Sequence, residues 1–242
     1  MVEFFAVIIL LFLIFIAIKT LFKSPYKDSP IKASLIPFKS KKSDCRDSTE
    51  SWVENELKSK LLKNGYVIFG DLIIPSVSKS IPSTQIDHVI VSRYGIFCLE
   101  TKSHQGNIYG YEKSEKWKQY LGNKDYSFYS PIKQNKHHVK SLEYLLRSRL
   151  KSPIHSYIVF PSAHRVKING NEVDLTLSNT IKKIENHKRE VYTFEDIEAI
   201  SKGLAYVSTK SFQFSDEHIE SVRRYIATKD ANMLVHSSKY IH

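Results

Sequence analysis

Between Gln85 and Lys102 the chain reads QIDHVIVSRYGIFCLETK and sets Asp87, Glu100 and Lys102 inside its most hydrophobic neighbourhood. Glu100 and Lys102 are two residues apart, so on a β-strand their side chains leave the same face. Two carboxylates held a few ångströms apart repel unless a proton or a cation lies between them, and Mg²⁺ or Mn²⁺ is the ordinary cation for hard oxygen ligands. A neighbouring ammonium such as Lys102 could then neutralise charge developing on a phosphate or orient the attacking water. That is the chemistry of phosphodiester hydrolysis. The competing reading is a buried Asp/Glu–Lys structural pair, which this stretch alone does not distinguish.

The elements that would position these groups follow from the neighbouring pattern. Ile86–Val91 and Ile96–Leu99 are rich in β-branched and aromatic residues and flank Arg93-Tyr94-Gly95, which predicts an antiparallel hairpin. A two-residue Tyr94-Gly95 loop would place Asp87 opposite Lys102 and on the face that carries Glu100. Both strands are apolar on both faces, as expected for a central sheet covered on each side.

A helix should begin at Asp47, with Glu50 three residues on in capping-box spacing, and end at Asn64-Gly65. Val53, Leu57 and Leu61 give it an apolar stripe, with Glu54 on or beside that stripe and Glu50 one turn earlier as its competitor. Strands are expected at Tyr66–Ile74, near Gly106–Gly110, at His155–Phe160 and at Glu190–Thr193. Trp117 reads as a packing anchor. Ser130-Pro131 is a helix start, Ser as N-cap and Pro at the first helical position, for a helix reaching about Leu150. Gln134, His138, Leu142 and Leu145 share one side of it. Another side carries Lys133, Lys136, Lys140 and Arg147, a stripe that can track a nucleic-acid backbone or simply face solvent. Two C-terminal helices are expected, at Phe194–Gly203 and Ser215–Thr228.

Of the 242 residues, Phe4 to Phe22 form an apolar run interrupted only by Lys19 and Thr20. Its length as a helix, about 28 Å, matches the hydrocarbon thickness of a bilayer. Glu3 precedes it and lysines follow, the reverse of a cleaved signal, so residues 1–23 are expected to be a membrane anchor. Eight Lys/Arg against two acids between Lys19 and Arg46 place the downstream chain on the cytoplasmic face by the positive-inside rule. Residues 24–46 read as a basic juxtamembrane linker, residues 47–230 as the globular domain and 231–242 as a tail. Residues 47–242 hold 28 Lys/Arg and 22 Asp/Glu, a moderate basic excess compatible with a polyanion partner.

The ten histidines show no zinc-ligand spacing, and there is no P-loop, G-x-S-x-G or dinucleotide fingerprint. A zinc site therefore has little support, and ATPase, esterase and dehydrogenase readings drop out. With two cysteines, Cys45 in the linker and Cys98 in an apolar strand, a disulfide framework is not expected.

The ordered series of Glu54, Ile86-Asp87-His88, Gly95-Ile96-Phe97, Glu100-Thr101-Lys102, Gly106, Trp117, Pro131, Gln134 and His138 resembles the nuclease-related domain (NERD) family over roughly residues 48–160. That family is assigned to the PD-(D/E)XK restriction-endonuclease-like superfamily. The resemblance implies an α/β fold, a mixed sheet flanked by helices, here preceded by one N-terminal transmembrane helix. It further implies Asp87 and Glu100 as metal ligands, Lys102 as catalytic lysine, Glu54 as a supporting acid and Gln134, His88 and His138 as accessory residues. The expected activity is metal-dependent cleavage of DNA, or RNA, by a protein anchored in the cytoplasmic membrane. The alternative is a non-catalytic module on the same fold that binds nucleic acid or a protein.

Overall fold

The computed structural model describes residues 48–78 and 80–208. The expected anchor, the linker, the helix at Ser215–Thr228 and the tail lie outside these residues. Among the described residues no helix is long and apolar enough to cross a membrane.

In chain order the helices are α1 Ser48–Leu61, α2 Pro131–Leu146, α3 Leu177–Glu185 and α4, residues 194–208. The strands are β1 Val67–Pro75, β2 Ser83–Ser92, β3 Gly95–Thr101, β4 Gly106–Gly110, β5 Lys116–Leu121, β6 Lys124–Tyr129, β7 His155–Val159, β8 Ala163–Ile168 and β9 Asn171–Glu172. α1 runs into a short 3-10 turn, Leu62–Asn64, and stops at Gly65. α2 starts as its residues dictate, with the Ser130 hydroxyl accepting the Lys133 N–H and Pro131 in the first turn, where no donor is needed.

The expected single mixed sheet is two mixed sheets. The first has the order β1-β2-β3-β7 and the second β6-β5-β4-β8-β9. In each, antiparallel neighbours adjoin one parallel pair, β3 with β7 and β4 with β8. The first sheet is covered on both faces, as its apolar strands require. Val89, Val91, Ile96 and Cys98 pack with Leu142 and Leu146 of α2 and Ile197, Ile200 and Leu204 of α4. Ile90, Phe97 and Leu99 point the other way, to Val53, Leu57 and Leu61 of α1 and Ile181 and Ile184 of α3.

The hairpin forms with a corrected register. Ser92 pairs with Gly95 and His88 with Leu99, so the turn is Arg93-Tyr94 rather than Tyr94-Gly95. The Ser92 hydroxyl accepts the Tyr94 N–H at 3.2 Å, which fixes the tighter turn. Continuing this register sets Asp87 opposite Glu100, not Lys102. Because the shift is by two residues in the pairing sum, every side chain keeps its expected face.

Glu190–Thr193 is not a strand: Val191 and Tyr192 donate to the Arg93 carbonyl and tie the segment to the hairpin turn as a loop. The polar stretch around Trp117 is instead the β5–β6 hairpin, closed by the two-residue loop Gly122-Asn123 with Gly122 at φ 59°. Trp117 is the expected anchor, buried beside Phe128 and Phe160. A Cβ at Gly110 would come within 2.2 Å of its indole ring, so the absence of a side chain there is what lets the Trp seat.

Candidate active site

At the ends of β2 and β3 remote from their turn, the α2-facing side of the first sheet changes from apolar to charged. Asp87, Glu100 and Lys102 all line one cavity of about 770 Å³, together with Gln134, His137 and His138 from α2 and Glu50 from α1. Glu100 is buried, and its Oε1 lies 2.6 Å from Lys102 Nζ. Lys102 Nζ also donates to Gln134 Oε1 at 2.9 Å, so Gln134 holds the ammonium beside the carboxylate. His138 Nδ1 stands 3.2 Å from the buried Glu100 Oε2, the contact that does most to hold this carboxylate's pKa down. Asp87 accepts the Thr101 N–H at 2.7 Å, a bond from the residue next to Glu100.

Electrostatics drive the two carboxylates apart. Burial pushes Asp87 well above the usual carboxylate range, and the charges of Glu100 and Glu50 push it further. Burial acts on Glu100 in the same direction but is outweighed by His138 and Lys102, which bring it below its ordinary value. The two carboxylates are thereby set apart in acidity, Asp87 the weaker acid and Glu100 the stronger.

A hard divalent ion fits this pair. Asp87 and Glu100 supply two carboxylates on one face of an open cavity, and Mg²⁺ is commonly held by one or two carboxylates with water completing its shell. A closed cage is not offered: among the described residues no three of His, Cys, Asp and Glu are gathered so as to hold a metal ion.

Several sequence expectations are placed differently. Glu54 does not line the cavity; it pairs with Lys58 at 2.5 Å along α1, and Glu50, its competitor, is the α1 acid facing Asp87. The reason is helical: Glu54 falls beside the stripe of Val53 and Leu57 that packs on the sheet, whereas Glu50 sits one turn nearer the open strand ends. His88 alternates to the opposite face from Asp87, the side of Ile90 and Leu99, and is wholly buried. None of Lys133, Lys136, Lys140 and Arg147 lines the cavity. Lys136, Lys140 and Arg147 are exposed, Arg147 lying 5.0 Å over the Tyr144 ring.

Two residues had escaped the sequence reading. His137, three after Gln134 and one helical step from His138, lines the cavity and meets the Ser76 hydroxyl at 2.9 Å. Asn135 is fully buried and pins α2 to the sheet: its amide nitrogen is 3.1 Å from the Cys98 carbonyl of β3 and 2.9 Å from the Tyr157 carbonyl of β7, with Ser156 Oγ at 2.8 Å. Its oxygen takes the Cys98 thiol at 3.2 Å, and burial pushes that thiol's pKa up. An Asn amid His and Lys at the start of a helix was the available signal, since a polar side chain on an inward face must find backbone partners.

Comparison with known proteins agrees with this architecture. The family model described as Nuclease-related domain (NERD) matches residues 47–161, the span that contains every residue of the cavity. An uncharacterized protein of Bacillus anthracis is 30% identical over 149 residues, covering 60% of this chain and 69% of the relative. No solved structure matches. With α1 and α2 set against a hairpin that carries Asp87, Glu100 and Lys102 at one end, and with this match over both, the chain belongs to the nuclease-related domain family.

Proposed function

We propose that the protein is a Mg²⁺-dependent nuclease that hydrolyses phosphodiester bonds of DNA. The observation that carries this reading is the Asp87–Glu100 pair, two carboxylates brought together at the wall of an open cavity, with Lys102 held in place by Gln134. A protein that only needed a core would gain by replacing such charges with apolar side chains.

Asp87 and Glu100 would hold the ion, which when bound supplies Lewis-acid polarisation of the phosphate and a lowered pKa for attacking water. Glu50, facing Asp87 across the same cavity, adds negative charge that favours a cation there. Lys102 reaches the cavity with its ammonium fixed between Glu100 and Gln134, placed to stabilise charge as it develops on the phosphate. His137 and His138 line the same wall, where either can relay a proton to or from the reacting groups.

The test is cleavage of labelled DNA by the purified protein with Mg²⁺, with Mn²⁺ and with chelator. Metal-dependent cleavage is expected, and its absence under all three conditions would overturn the proposal. The apolar run at residues 4–22 supports a further part of the reading, a tether that holds the domain on the cytoplasmic side of the membrane. Protease added outside intact spheroplasts should leave the domain uncut; digestion from outside would reverse the orientation.

A further inference from the structure

The outward face of the second sheet has a composition that folding does not require. Along β5 the side chains alternate: Trp117 is 1% exposed and belongs to the core, while Lys116, Lys118 and Tyr120 face out. Register extends that face to both neighbours. Tyr109 of β4 stands beside Lys118, and Tyr129 of β6 beside Lys116. Tyr109 is 40% exposed, Tyr120 41% and Tyr129 48%, large rings in water where threonine or lysine would suffice. The Tyr109 and Tyr120 rings meet edge to face, 5.3 Å apart at 89°, so the contact covers one ring face only. They border a groove of about 730 Å³ that Lys116 and Lys118 also line. On the parallel side, Lys167 pairs in register with Tyr109 and Arg165 with Asn107, adding positive charge to the same face. Asp125, paired with Lys118 at 3.2 Å, is an opposing acid on this face, and the pair is solvent-exposed and so weakly held.

This groove and the candidate active site adjoin at Lys116. Lys116 lines both, and Tyr129, its cross-strand partner, lines the catalytic cavity. We propose that this face is a docking track for single-stranded nucleic acid, its unpaired bases stacking on the tyrosines and its phosphates following the lysines, and that it delivers the strand past Lys116 and Tyr129 to the cavity. The inference rests on the nuclease reading for the direction of that delivery and adds to it the form of the substrate. Exposed aromatic faces interleaved with cations suit bases whose rings are free, whereas a duplex hides its rings and is held by its backbone charge. An anionic membrane surface would accept the lysines, but the Trp and Phe rings of this hairpin pack in the core rather than standing outward to enter a bilayer.

The experiment measures anisotropy of labelled oligothymidine, about 16 nucleotides long, against the full-length protein in detergent with chelator present, beside a duplex of the same length. Tyr109→Ala/Tyr120→Ala should weaken single-strand binding about tenfold or more, with duplex binding changed much less. Tyr109→Phe/Tyr120→Phe should retain it, because the ring and not the hydroxyl is used. Lys118→Gln should reduce the salt slope by about 0.7. Unchanged binding in the alanine variant, an equal loss for both oligonucleotides, or a loss seen instead on phosphatidylserine vesicles would overturn the proposal, provided the alanine and phenylalanine variants melt alike. Should the alanine variant melt lower, the phenylalanine variant decides: loss of single-strand binding there also overturns it. Cleavage is scored separately with Mg²⁺. Tyrosine-dependent binding without cleavage would sink the nuclease reading and leave the track, and cleavage indifferent to the tyrosines would do the reverse.

Discussion

The two faces of the β2–β3 hairpin are made by the same strands, one residue out of step, and they do different work. Toward α1, Ile90, Phe97 and Leu99 join Val53, Leu57 and Leu61 in a dry contact. Toward α2, Val91, Ile96 and Cys98 begin in the same way, but by Asp87, Glu100 and Lys102 that face has become a charged wall. The hydrophobic effect is non-directional and fixes the strands; the charged end inherits positions it could not hold by itself. Stability and chemistry should therefore separate by face.

The largest effect is expected at Glu100. Glu100→Gln keeps the shape and removes a charged ligand, so metal-dependent cleavage should fall by at least on the order of 10³-fold. Relief of repulsion with Asp87 offsets the lost pair with Lys102, so thermal unfolding should move less than for a core truncation. A variant that instead melts far below the wild type, from a wild type showing neither cleavage nor stabilisation by Mg²⁺, would make the charged end structural and dissolve the comparison. Leu99→Ala, one residue away on the other face, should do the opposite. It should cost about 2–5 kcal/mol of stability in a denaturant titration, with Mg²⁺ affinity of the folded protein held.

A smaller effect sharpens the account of the charged face. A carboxylate whose folded pKa is raised contributes stability below its unfolded value and loses it as pH rises through the folded one, so Asp87 should weaken the metal-free fold upward of about pH 4. Glu100, lowered, works in the other sense and loses its contribution only as pH falls through its folded value. Asp87→Asn should remove the first effect. Compared with wild type in chelator, it should gain about 1.4 kcal/mol per pH unit across that window, read from melts at stepped pH. A gap that does not change with pH would mean that no proton sits on Asp87.

The hairpin, the start of α2 and the shared face of Asp87, Glu100 and Lys102 were legible because each depends on local pattern, the period of two in a strand or a Ser-Pro start. The turn was misplaced by one residue because Ser92 side-chain bonding, not glycine preference, closed it. The second sheet was missed because β6 is exposed over almost its whole length and shows no alternation of apolar residues, although Gly122-Asn123 between two strands was a usable hairpin signal. Glu50 could not be separated from Glu54 because both flank the buried stripe of α1. Which one meets Asp87 is decided by where the helix starts relative to strands far away in sequence.

Asn135 has a meaning for the working conditions of this protein. Asp87, Glu100 and Lys102 are ionisable, so their interactions change with pH. The amide that fastens α2 to β3 and β7 carries no charge, and it is fully shielded from solvent. Gln134, beside it in the chain, and His138, about one helical turn on, are therefore mounted on a joint that does not titrate. Acidity can tune the charges in the cavity while the joint that places them stays neutral.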